Sequence, residues 1–296
     1  MSHSAYRSAR SLLVLALLTL AALLAACGGD DGPGELLLAT TTSVNDSGLL
    51  DDLVPIFEEE TGINVKVIAV GTGAALRMAA LGNADALFVH APDAERALVE
   101  AGDVINRQLV AYNDFLIAGP PDDPAGVAGE SDIVVALTRL AAAGRDGSGL
   151  FLSRGDDSGT HKRELSLWES AGVAPGGAWY LESGQGMGAS LQIASQRRAY
   201  VLTDRATFLA LSDGLELVPL VERDGRLINL YSVMQVSPDK NGIKSAAAVA
   251  WVAFITRADV QEWIGAFRAA EFGQPLFFPA AGHSEAEATA ELASAS

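Results

Sequence analysis

From Glu35 to Glu100 short apolar or β-branched runs alternate with stretches of helical periodicity, and such a chain has few ways to bury both kinds of element. Glu35 to Thr41 suits a buried strand. Asp46 or Ser47 can cap a helix in which Leu49, Leu50, Leu53, Val54 and Phe57 recur at helical spacing, with Pro55 as a kink and Thr61-Gly62 as the stop. Ile63 to Val70 is a second strand, Gly71-Thr72-Gly73 opens a helix through Met78, Ala84 to Val89 is a third strand and Asp93 to Glu100 a third helix. Strands that alternate with helices in this way call for a parallel sheet with right-handed crossovers, an α/β domain. Ligands of such sheets sit beyond the carboxyl ends of the strands, where helix N-termini point free N–H groups. Thr40-Thr41-Thr42-Ser43, Gly71-Thr72-Gly73 and His90-Ala91-Pro92 fall at those positions.

After Tyr112-Asn113-Asp114-Phe115 and the strand-like Leu116-Ile117-Ala118, the turn cluster Gly119 to Pro124 interrupts the alternation and marks a domain crossing. We assign 35–113 to the first part of lobe one and 114–205 to lobe two. Lobe two carries a helix at 131–143, the strand Leu150-Phe151-Leu152 and a loop, Ser153 to Thr160, leading into a helix with Leu165 and Trp168. Ala199 to Asp204 reads as a strand that takes the chain back toward lobe one. Residues 206–280 are then a return segment belonging mainly to lobe one, and the small, acidic stretch 281–296 is expected as a disordered tail.

The strongest local signal is Ser153-Arg154-Gly155-Asp156-Asp157-Ser158-Gly159-Thr160-His161. Between a strand and a helix it offers a guanidinium, two hydroxyls and several N–H groups at a positive helix end, an anion cradle. An ordinary capping loop explains the same residues equally well. Thr40 to Ser43 has the same character but also suits a strand edge. Gly71 to Leu76 departs from a dinucleotide fingerprint, because its final glycine is replaced by Leu76 and Asp85 lies too near for a ribose contact. Gly184-Gln185-Gly186-Met187-Gly188 is either a plain loop or a ligand contact. Ser158 is preceded by Asp156 where a nucleophile elbow needs glycine, so that pattern fails. His161 reads as a capping residue and His90 as a packed histidine.

Composition narrows the class. With 37 Asp and Glu against 20 Lys and Arg, a formal charge of −17, nucleic acid is a poor partner. A single cysteine excludes an intrachain disulfide and a cysteine metal cluster, and the four histidines show no zinc spacing. Arg7 and Arg10 precede an apolar run from Ser11 to Ala26 that is too short to span a bilayer, so residues 1–26 read as a signal peptide. Leu24-Ala25-Ala26-Cys27 resembles a bacterial lipobox. Cys27 is then the lipidated first residue of the mature chain, 27–34 a linker, and the location extracytoplasmic at a cell membrane.

Taken in order, Thr41-Thr42-Ser43 with Gly48-Leu49-Leu50, Val70 to Gly73, His90-Ala91-Pro92, Tyr112 to Phe115, Ser153 to His161, Leu167-Trp168, Trp179-Tyr180, Gly184 to Met187 and Thr203-Asp204-Arg205 resemble the tungstate-binding component of ABC transporters. The resemblance covers roughly 35 to 210. It implies a two-lobed periplasmic-binding fold (type II), with two crossings and the ligand between the lobes. It also implies an oxyanion, tungstate or molybdate, handed to a transporter permease by a monomeric protein that is no enzyme and needs no cofactor. Carried over by position, Thr41, Thr42, Ser43 and Thr72 bind from lobe one, and Arg154, Ser158 and Thr160 from lobe two, with Asp156 or Asp157 steadying the Arg154 guanidinium. Thr41, Thr42, Ser43, Arg154, Ser158 and Thr160 can all donate and none is a carboxylate, which disfavours monohydrogen phosphate, while sulfate is disfavoured only by its smaller size; tungstate and molybdate are thus expected above both. A phosphate or molybdate binder, and a lipid-anchored hydrolase using Ser158, are the alternatives.

Overall fold

A computed structural model describes residues 34–294. The signal peptide, Cys27 and most of the linker lie outside the described residues. In lobe one β1 (Glu35–Thr41), α1 (Thr42–Asp46), α2 (Leu49–Thr61), β2 (Asn64–Val70), α3 (Thr72–Ala80), β3 (Ala86–Val89) and α4 (Pro92–Glu100) follow the expected alternation. β1 lies between β2 and β3, parallel to both, so the carboxyl ends of all three face one side.

The start of the first helix differs from expectation. Thr42 to Asp46 form a helical turn, α1, capped by Thr41, whose Oγ1 accepts from Val44 N at 3.2 Å. The expected caps, Asp46 and Ser47, therefore belong to the end of this turn. Gly48, at φ 79°, enters α2 in the left-handed conformation that glycine adopts without strain. Pro55 sits within α2, one turn and more from its start, without ending it.

β4 (Val104–Gly119) is a single strand of 16 residues that serves both lobes. Its first part pairs antiparallel with β9 (Ile228–Val236), and its last residues, Phe115 to Gly119, pair with β7 (Tyr200–Asp204) and β8 (Val218–Val221). The first crossing is thus made inside a strand, and the Gly119 to Pro124 turn follows it within lobe two. That lobe also holds α5 (Ile133–Asp146), β5 (Phe151–Ser153), α6 (Gly159–Ser170), β6 (Tyr180–Glu182), α7 (Met187–Arg197) and α8 (Arg205–Leu211). β5 runs parallel to both β6 and β7.

The return segment starts later than the sequence suggests. Phe208 and Leu217 are buried with Leu116, Leu191 and Val201, while Leu220, Val221 and Leu227 are buried with Phe115, Phe151 and Tyr200. Residues 217–227 therefore remain with lobe two, while α8 straddles the junction, with Ala206 buried in the lobe-one core and Phe208 in that of lobe two, and β9 makes the second crossing. Lobe one is completed by α9 (Ser245–Ile255), α10 (Ala258–Ala266), α11 (Ala269–Phe272) and β10 (Phe278–Pro279), which pairs with β4. Its core joins Leu36, Leu38, Phe88 and Tyr231 to Phe57 and Trp251, whose rings meet edge to face at 5.1 Å.

The stretch expected as a disordered tail instead carries α12 (Glu285–Ser294). Ala288 and Leu292, one turn apart, are buried against Leu109, Tyr112 and Leu230. Glu285 pairs with Arg96 at 2.9 Å and Arg107 at 2.8 Å, and Tyr112 Oη donates to Glu291 at 3.0 Å. Its small, acidic composition conceals a two-residue apolar stripe. Among the described residues no helix is long and apolar enough to cross a membrane.

Candidate functional site

The carboxyl ends of β1, β2 and β3 in lobe one and of β5 in lobe two face each other, and the helices that follow them start there. Hydrogen bonds join the lobes across the cleft. Arg154 Nη2 donates to Thr42 Oγ1 at 3.1 Å, Gly159 N to Thr72 Oγ1 at 2.8 Å, Thr207 Oγ1 to the Ser43 carbonyl at 3.1 Å and Gly188 N to Asp46 Oδ2 at 3.2 Å. The N-terminal ends of α3, α6 and α7 are thereby gathered around Thr42, Thr72 and Arg154. Each such end carries roughly half a positive charge, so the local field is positive although the chain is strongly acidic.

Glycine permits the close approach. A Cβ on Gly159 would lie 2.9 Å from the His90 carbonyl oxygen and 3.2 Å from Thr72 Oγ1, and one on Gly186 would lie 3.3 Å from Thr42.

Arg154 is 2% exposed. Its Nη2 pairs with Asp156, while its Nε finds no hydrogen-bond partner. Thr160 Oγ1, in the first turn of α6, is likewise buried without a partner. A buried guanidinium with an open N–H carries a desolvation penalty that an anion would relieve. Of the two acidic residues considered for steadying Arg154, Asp156 has that position. Asp157 turns instead to Lys162 and, across the cleft, to Arg77 at 3.8 Å.

The Thr41 to Ser43 hydroxyls are partly committed elsewhere. Ser43 Oγ lies 2.9 Å from His90 Nε2, and His90 Nδ1 lies 2.9 Å from Asn229 Oδ1. The Asn229 amide nitrogen donates to Asn113 Oδ1 at 3.0 Å and to Tyr231 Oη at 2.7 Å, which turns its carbonyl oxygen toward the imidazole. His90 Nδ1 must then carry the proton, Nε2 accepts, and the Ser43 hydroxyl donates to it. Burial pushes the imidazole down to about 4, so it is neutral. Thr41 Oγ1 caps α1 and lies 3.1 Å from Ser43 Oγ.

The structure brings Thr41, Thr42, Ser43 and Thr72 together with Arg154, Ser158 and Thr160 at the junction of the lobes. Ser158 caps α6, its Oγ accepting from His161 N at 3.2 Å, and His161 Nδ1 accepts from Asp157 N at 3.1 Å. Among the described contacts no imidazole nitrogen meets Ser158 Oγ, as a hydrolase would need. No acidic, histidine or cysteine group able to hold a metal ion occurs among the described residues.

Two residues at the junction carry no clear signal in the sequence. His90 does more than pack, because it holds Ser43. Asp204 is fully buried at the carboxyl end of β7, within electrostatic reach of Arg154: Oδ1 accepts from Thr207 N at 2.9 Å, while Oδ2 has no partner. Burial lifts this carboxyl to about 6. The Thr203-Asp204-Arg205 segment was noticed only as part of a pattern. Its one readable signal was Asp204 followed three residues later by Thr207, the spacing of a helix cap.

A two-lobed α/β fold whose helix starts and one buried arginine meet at the interlobe junction defines a ligand-binding protein of the periplasmic-binding class, and the PBP superfamily domain matches residues 28–259. The tungstate-binding protein TupA of Peptoclostridium acidaminophilum is 43% identical over 280 residues, covering 90% of this chain and 96% of that protein. The crystal structure of the tungstate ABC transporter from Geobacter sulfurreducens superimposes with a TM-score of 0.72 at 45% identity, covering 79% of this chain and 98% of that one. The tungstate-binding protein TupA from Desulfovibrio alaskensis G20 does so with a TM-score of 0.68 at 42% identity, covering 84% and 99%. The chain belongs to the family of TupA tungstate-binding proteins within the PBP superfamily.

Proposed function

We propose that this protein binds tungstate, and molybdate with it, between its lobes and delivers the anion to the permease of an ABC transporter. The observation that carries the reading is the buried Arg154 with its unpartnered Nε beside the unpartnered Thr160 Oγ1, at a junction of helix N-termini. A tetrahedral dianion offers acceptors to all of these donors, and burial strengthens each contact. Thr42, Thr72 and Arg154, which bridge the lobes, tie anion binding to their contact. Ser158 and Thr160 contribute from the start of α6, and Thr41 and Ser43 shape the facing wall.

In this reading the protein is a binding protein, and Ser158, the serine considered as a nucleophile, serves as a helix cap. It works outside the cytoplasm as a monomer held to the membrane through a lipidated Cys27. Its sister reading, a phosphate binder, is favoured by one observation alone, the buried Asp204 carboxyl, which could accept the proton that phosphate keeps. Competition calorimetry at neutral pH with tungstate, molybdate, sulfate and phosphate decides between them. Tungstate and molybdate should bind well above sulfate and phosphate, and phosphate binding as tightly as tungstate would transfer the assignment to the phosphate reading.

A further inference from the structure

We propose that Asp204 is a specificity-determining residue of the oxyanion site, present in the loaded protein as the neutral acid with its Oδ2–H donated to the anion, so that each dianion is taken up together with one proton from solvent. The inference rests on the oxyanion reading above and adds to it the donor whose presence changes with pH.

The geometry leaves Asp204 little else to do. Its Oδ1 is spent on the cap of α8, accepting from Thr207 N, and its Oδ2 is buried with nothing to bond. β7 runs parallel to β5, whose register pairs Leu152 with Val201, so both strands end on the cleft side, one in Asp204 and the other just before Arg154. Arg154 acts on the Asp204 charge, yet among the described residues no ion pair joins them, and each presents an unpartnered atom.

The other charged and titratable groups nearby are occupied. Tyr231 of β9 donates toward Asn113, and Asp114 of β4, one residue before the strand partner of Asp204, forms a bidentate pair with Arg205 of α8 at 2.6 Å. His90 of β3 is held between Ser43 and Asn229, Asp46 of α1 accepts from Gly188 N, and Asp156 holds Arg154. An ionised Asp204 beside a dianion would be a like-charge contact in a dry site, whereas the neutral acid converts the repulsion into one more donor.

This determines selectivity. As the acid, Asp204 donates and suits an anion with no proton of its own. As the carboxylate it accepts, and so suits an oxyanion that keeps a proton, such as monohydrogen phosphate. With the free carboxyl lifted to about 6, the unliganded protein is ionised at pH 8 and must gain the proton on binding.

Calorimetry of tungstate binding to the full chain between about pH 6.5 and 8.5, in two buffers of different ionisation enthalpy, counts that proton directly. The expected result is uptake of about one proton near pH 8 and a Kd that weakens roughly tenfold per pH unit above about pH 6.5. In Asp204→Asn, whose Oδ1 keeps the α8 cap, the uptake and the slope should both vanish, and the preference for tungstate over phosphate should no longer fall with rising pH. Tungstate binding with no proton uptake in the unmodified chain, or uptake that survives in Asp204→Asn, overturns the inference and leaves the oxyanion reading standing. No tungstate binding at any pH overturns both.

Discussion

Replacing Arg154 with alanine separates a ligand-binding arginine from a merely structural one. Arg154 makes one bond to Thr42 across the lobes at 3.1 Å and one ion pair to Asp156, and its Nε has no hydrogen-bond partner. Burying that guanidinium is costly, and the Asp156 side chain, 15% exposed, can regain water when its partner is lost. The folded apo-protein should therefore lose little stability in Arg154→Ala. Binding should suffer much more, because a charge-assisted bond to the anion contributes about 1.5–3 kcal/mol, a factor of roughly ten to over a hundred in Kd. Arg154→Lys should recover only part of this, since a point charge on a flexible stem cannot bond Asp156, Thr42 and the anion together as the planar fork can. Tungstate calorimetry beside thermal unfolding of the unliganded variants reads both quantities. Unchanged affinity, or an affinity loss matched by an equal loss of apo stability, would refute the reasoning.

Other outcomes follow from single contacts. Gly159→Ala puts a Cβ 2.9 Å from the His90 carbonyl oxygen, so the lobes should no longer meet; tungstate affinity should drop about tenfold or more while the apo melting temperature stays near that of the unmodified chain, as overpacking of this kind costs about 1–3 kcal/mol only where the surfaces touch. Burial lifts the Glu164 carboxyl from 4.5 to about 7, so the folded state holds a proton that the unfolded state has lost, and stability should fall as pH rises between those values and stay reduced above them. Glu164→Gln, whose Oε1 still accepts from Trp168 Nε1 and Tyr180 Oη, should gain up to about 3 kcal/mol at pH 8 and flatten that dependence in urea titrations at pH 5 and 8. Cys27→Ser should move the protein from the membrane fraction to the soluble one; a fraction that stays membrane-bound after leader removal would refute the lipid anchor.

Much of lobe one could be read in the sequence because its signals are local. β-branched Ile63 to Val70, and the glycine-flanked Thr72, mark strand ends and helix starts whatever packs on them. The loop from Ser153 to His161 was legible for the same reason, and the helix cap that Ser158 forms there is compatible with the proposed anion contact. What stayed hidden depends on pairing between distant segments. Residues 217–227 look like a return to lobe one until Val218 to Val221 are seen to pair with β4, more than ninety residues earlier in the chain. The tail looked disordered because only Ala288 and Leu292 signal burial, and their partners, Leu109 and Tyr112, are equally remote. At the site, nothing local distinguishes a histidine that packs from one that fixes the Ser43 proton through Asn229, 139 residues away. Nothing local marks Asp204 either, since a helix cap occupies one of its oxygens and sequence cannot show that the other is left alone.

The strands that carry the chain between the lobes are bonded to each other where they cross. Asn113 and Asp114 of β4 stand in register with Asn229 and Ile228 of β9, and the Asn229 amide reaches the Asn113 side chain as well. A two-stranded ribbon of this kind bends more readily across its face than within its plane, because in-plane shear stretches its ladder of hydrogen bonds while bending across the face does not. The lobes should accordingly part along one path, like a clasp on a leaf spring, with the resistance to parting residing at the mouth rather than at the joint.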